Sequence, residues 1–208
     1  NPRTRDLDRL PIGELVARIL DEDARVAVAV RETRPAIERA CQALVDTLEA
    51  GGRWINLGAG TSGRIGALDA AEIPPTFGLD SERVQALIAG GAPALTGAVE
   101  GAEDDVGAAV RELGKLAFGS GDALVALSAS GRTPYALAAI EHARRVGART
   151  IGITCVPDSP IATRAEIAIV AVVGPEVIAG STRMKGGLAQ KMILHTLSTA
   201  VMVKLGRV

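Results

Sequence analysis

The 208 residues, 48% of them hydrophobic, suffice for one sizeable core and lead us to expect a single α/β domain. With 23 Lys and Arg against 24 Asp and Glu, the net charge is −1, so no long-range field draws the chain to nucleic acid or an anionic membrane, and a small partner is expected. Aromatics are only 2% of the chain, too few for base-stacking platforms. Cys41, Cys155, His142 and His195 lack metal-ligand spacing, so neither a disulfide framework nor a metal site nor another cofactor is expected.

From the start, Asn1 to Asp8 carries no apolar core of a signal peptide, and charges interrupt every apolar run before membrane-spanning length; a cytoplasmic location is expected. Leu15, Ile19, Ala27 and Val30, then Ile37, Ala40, Leu44 and Leu48, recur at helical spacing and predict two helices, with Pro35 opening the second. Gly51-Gly52 ends this N-terminal helical segment, residues 1–50. Beyond it, strand-like runs at 54–57, 84–89, 123–128, 150–154 and 167–172 alternate with helical stretches, the signature of βαβ units around a five-stranded parallel sheet. An apolar helix from about Met184 to Leu205 closes the chain. It and the N-terminal helices offer more apolar surface than one sheet covers, so a homodimer is expected.

In such a sheet the ligand sits beyond the carboxyl ends of the strands, where helix N-termini attract anions. Two turns fall there: Gly58-Ala59-Gly60-Thr61-Ser62-Gly63-Arg64 and Ser128-Ala129-Ser130-Gly131-Arg132-Thr133. Glycines let amides approach a phosphate, and the Ser and Thr hydroxyls add donors without bulk, so Gly60, Thr61, Ser62, Gly63, Arg64, Ser128, Ser130, Gly131 and Thr133 are candidate phosphate ligands. Thr133, before Pro134, is also placed to cap a helix. No Lys follows the glycines as a Walker A would require. The first turn only imitates the dinucleotide fingerprint, because 84–89 runs into Gly90-Gly91 instead of reaching a ribose-binding acid. A monophosphate fits better.

At these residues the sequence resembles the N-acetylmuramic acid 6-phosphate etherases, members of the sugar-isomerase (SIS) superfamily. The matching stretches are LGAGTSGRIG (57–66), DAAEIPPT (69–76), AVEGAED (98–104), ASGRTPY (129–135), GSTRMK (180–185) and AQK (189–191). The resemblance implies a SIS-type three-layer α/β/α phosphosugar-binding domain over residues 51–208, a homodimer with its pocket near the subunit interface, and no cofactor. It also implies a further helical region past the segment equivalent to Gly206-Arg207-Val208. The expected reaction is a lyase cleavage of N-acetylmuramic acid 6-phosphate to N-acetylglucosamine 6-phosphate and D-lactate.

Two carboxylates stand in contrasting settings. Pro74-Pro75 predicts the end of a helix that begins near Arg64, which puts Glu72 at a helix C-terminus where the dipole and Asp69 disfavour its charge. Glu103 precedes a helical run from about Asp104, where the dipole favours an anion while Glu100, Asp104 and Asp105 oppose it. Acids at helix starts are also ordinary dipole partners. The resemblance makes Glu72 the acid that protonates the leaving oxygen and Glu103 the base that takes the C2 proton. A phosphosugar isomerase on the same fold would also need a carboxylate base, and a non-catalytic phosphosugar sensor would need only the loops. His195 is expected in the core or an interface, His142 in solvent, and Arg183 and Lys185 near an anion or in interface salt bridges.

Overall fold

The computed structural model describes residues 1–208. Two short 3-10 turns lead into α1 (Ile12–Glu32) and α2 (Arg34–Glu49), with Pro35 in the first turn of α2 as expected. There follow β1 (Trp54–Gly58), α3 (Gly60–Phe77), β2 (Val84–Ile88), the short α4 (Pro93–Thr96), α5 (Val106–Lys115), β3 (Ala123–Leu127), α6 (Pro134–Arg145), β4 (Arg149–Thr154), α7 (Pro160–Arg164), β5 (Ile167–Val170) and α8 (Lys185–Lys204). All strand pairs are parallel and the sheet order is β2-β1-β3-β4-β5.

The strands are apolar on both faces because both are covered. Ala123, Val125 and Leu127 of β3 face a core shared with α1, α2, α3 and α8, whereas Leu124 and Ala126 face α5, α6 and α7. The result is a three-layer α/β/α stack, as expected. In α2 the four positions expected to be apolar-facing, Ile37, Ala40, Leu44 and Leu48, are all buried; in α1, Val26, Ala29 and Val30 form the core face and Ala27 falls off it.

The expectation that Pro74-Pro75 ends its helix is corrected: α3 runs through both prolines to Phe77 and stops at Gly78, whose left-handed φ of 64° caps it. Proline removes donors to the carbonyls one turn earlier, a cost that burial of Ile73 in the core and the glycine cap offset. Glu72 therefore lies inside the helix.

The charged groups hold one surprise. Glu22, on the core face of α1, is buried with the fully buried Lys185 at the start of α8, its carboxylate 2.7 Å from the ammonium. Arg3 forks onto the same carboxylate and Asn1 donates to it at 3.0 Å. The hydrogen bond from Arg3, aided by Lys185 and Asn1, holds Glu22 far below the usual carboxylate range against the opposing effect of burial. Lys185 is thus withdrawn from any anion-binding role. Glu22→Ala strands that ammonium, and we expect it to cost about 3–5 kcal/mol in urea denaturation, with much of the loss recovered when Lys185→Met is added.

Candidate active site

Because β1 is flanked by β2 on one side and β3 on the other, the chain direction switches between β1 and β3, and the loops leaving those two strands open a crevice at their carboxyl ends. The strands lie in register Gly58↔Leu127, so both Ser-Gly-Arg turns emerge side by side. A Cβ on Gly58 would stand 2.9 Å from the Leu127 carbonyl oxygen, and this strand spacing therefore demands a glycine.

The turn after β3 gathers three hydroxyls. Ser128 Oγ lies 2.8 Å from Thr133 Oγ1 and 3.3 Å from Ser130 Oγ, and it accepts the Gly131 N–H at 3.1 Å. Thr133 stands at the cap position of α6, but its side chain makes no cap hydrogen bond because its oxygen is engaged with Ser128. Gly131 has φ +67°, and a Cβ there would meet Ser159 Oγ at 2.2 Å. The loop is pinned to its neighbour by the N–H groups of Cys155 and Ile161, which donate to the carbonyls of Ala129 and Gly131. Ser130 is exposed at its tip, at the N-terminus of the twelve-residue α6.

The turn after β1 is built differently. Gly60 and Thr61 begin α3 and present its free N–H groups, but Ser62 is buried and its hydroxyl donates to Gln190 Oε1 at 2.9 Å. Arg64 is corrected as a phosphate ligand: its guanidinium donates to the carbonyls of Ala94 at 3.0 Å, Leu95 at 3.1 Å and Gly97 at 2.6 Å. The four-residue α4 leaves the Ala94 and Leu95 carbonyls without intrahelical donors, and Arg64 satisfies them.

That tether closes one wall of a cleft of about 240 Å³ whose lining includes Gly60, Arg64, Ala89, Val99 and Glu103. Glu103 lies in a 3-10 turn, Ala102–Asp104, that packs against α6. It does not cap α5; Asp105 does, accepting the Ala108 N–H at 2.9 Å. The base candidate is therefore exposed at this cleft, beside the turn that follows β1, with its carboxylate uncommitted to protein donors.

Glu72 does not line that cleft. It stands twelve residues along α3 from Gly60, about 18 Å of helix rise. Its side chain is 62% exposed, and its nearest charged partner is Lys191 of α8, 3.7 Å away. A cation now faces the acid candidate, where dipole and neighbouring acid alone were expected. Asp69, one turn earlier, is buried and accepts from Ser198 Oγ at 2.9 Å, while its other oxygen has no partner; burial pushes its carboxyl up to about 6.

The sequence reading missed what α8 does. Gly187 comes so close to the first turn that a Cβ would lie 3.1 Å from the Thr61 methyl, and one on Gly186 would lie 3.0 Å from Cβ of Ala129 in the second. One helix start thus spans both turns. Glu176 caps it, accepting the N–H groups of Lys185 at 3.0 Å and Gly186 at 2.8 Å. The signal was present in the Gly-Gly pair after GSTRMK, but nothing local says which loops such glycines meet. His195, expected in the core or an interface, is exposed in this chain.

A 2-1-3-4-5 parallel sheet with its turns gathered at the switch point is a doubly wound α/β fold, and the SIS domain model matches residues 108–200. The model described as glucokinase regulatory protein N-terminal SIS domain matches residues 36–144. The chain belongs to the N-acetylmuramic acid 6-phosphate etherases, a family of carbon–oxygen lyases within the SIS proteins. It is 54% identical over all 208 residues to the etherase of Salmonella dublin and 53% identical to that of Yersinia pestis, covering 70% of each. Among solved structures, the phosphoheptose isomerase GmhA of Neisseria gonorrhoeae is similar at a TM-score of 0.66 and 19% identity, with 92% of this chain and 98% of that one covered. The Vibrio vulnificus NanR protein complexed with ManNAc-6P is similar at 0.62 and 16%, with 90% and 63% covered. No helix of this chain is long and apolar enough to cross a membrane.

Proposed function

We propose that this chain converts N-acetylmuramic acid 6-phosphate and water to N-acetylglucosamine 6-phosphate and D-lactate, without a cofactor and in the cytoplasm. The observation that carries the reading is the uncommitted carboxylate of Glu103 at a cleft lined by the start of α3, in a chain more than half identical to named etherases. Incubation with N-acetylmuramic acid 6-phosphate and an assay for D-lactate tests it; a sugar isomerised without lactate would favour the isomerase reading instead.

In this reading Ser128, Ser130, Thr133 and the free N–H groups at Gly60 to Ser62 hold the 6-phosphate, while Gly63 and Gly131 shape the two turns. That binding energy, remote from the reacting bond, positions the sugar. Glu103 removes the proton from C2, the C3–oxygen bond breaks, and Glu72 delivers its proton to the departing lactyl oxygen. Water then adds, hydroxyl to C3 and proton to C2. Ser130→Ala removes an exposed donor and should weaken binding of the phosphosugar by about 1.5–3 kcal/mol, measured by calorimetry. Ser62→Ala acts through Gln190 and should weaken binding less.

The enzyme acts as a homodimer in which Glu72 of one subunit serves the cleft of its partner. Two observations support this. Glu72 stands far along α3 from its own chain's cleft, and the chain leaves apolar residues exposed: Leu68 one turn before Glu72, Leu188 one turn before Lys191, and, elsewhere, a stripe of Ile12, Val16 and Leu20 on α1. Such a stripe is unusual on a surface left in water.

A further inference from the structure

We infer that Lys191 holds the carboxylate of the lactyl group, and so sets the preference of the enzyme for an acidic ether substituent. The inference rests on the etherase reading. In a lactyl ether the ether oxygen and the carboxylate are attached to the same carbon. A protein carboxyl that reaches the ether oxygen therefore needs its cation close beside it, and Lys191 Nζ stands 3.7 Å from Glu72 Oε2.

Two other cations of these elements are engaged elsewhere. Lys185 is buried against Glu22, and Arg64 is spent on three carbonyls. Lys191 is one-third exposed, makes no hydrogen bond, and projects from the face of α8 that packs on α3. It moves as a unit with Glu72, so a dimer that delivers one delivers both to the same cleft.

The test compares the full enzyme and Lys191→Met on two substrates: the natural lactyl ether, and an analogue whose carboxylate is a primary carboxamide. Wild type should turn over the acid in preference to the amide by roughly 10- to 100-fold in kcat/KM, as expected for a hydrogen bond to a charged group. In Lys191→Met that preference should collapse to within about threefold, and Lys191→Arg should restore most of it. A folding defect lowers both arms alike and leaves the ratio intact, so a preference kept in Lys191→Met overturns the inference. Absence of lactate release by the wild type would overturn the etherase reading itself, which is a separate outcome.

Discussion

Glu103→Gln should abolish both D-lactate release and exchange of the C2 proton with deuterated solvent. Glu100 lines the same cleft, whereas Asp105 is bound to the N-terminus of α5 and to Arg111. Loss of a general base at its reacting proton costs on the order of 10²–10⁴ in rate, and the amide preserves shape while removing basicity. Glu72→Gln should suppress lactate release by a similar factor yet leave C2 exchange measurable, because proton abstraction does not require departure of the ether oxygen. Proton NMR in deuterated buffer reads exchange and an enzymatic assay reads lactate. Exchange retained in the Glu103 variant and lost in the Glu72 variant would reverse the two roles.

The same two inactive variants should rescue each other. If each cleft takes Glu103 from one subunit and Glu72 from its partner, a mixed dimer has one cleft with both carboxyls and one with neither. Random pairing of equal amounts makes half the dimers mixed, so the mixture should recover about a quarter of wild-type activity. If each chain completes its own site, mixing recovers nothing. The readout is lactate release after coexpression, with each variant alone as the baseline.

How far the residues announced this arrangement depends on how local its causes are. The five strands and the helices between them were legible because their apolar runs and glycine turns repeat the βαβ rhythm. Pro35 opening α2 and Thr133 preceding α6 are likewise decided within a turn or two. The end of α3 was misread because the penalty at Pro74-Pro75 is local, whereas the burial of Ile73 that offsets it comes from the folded core. Glu22 was invisible as a core residue, since an acid between other acids reads as a solvated face and its partner comes 163 residues later. Arg64 followed a phosphate-loop pattern into the wrong role for the same reason: the carbonyls that claim it belong to α4. Glu72 and Glu103 were singled out as candidates through their motifs, but the cation facing Glu72 was not.

The buried ion pair between α1 and α8 also sets an order of events during synthesis. Glu22 leaves the ribosome long before Lys185, and at roughly 5–20 residues per second the gap of 163 residues is a wait of about 8–33 s. Through that interval only Asn1 and Arg3, close by in sequence, can answer the Glu22 charge, and the buried contact of α1 with α8 awaits the emergence of Lys185.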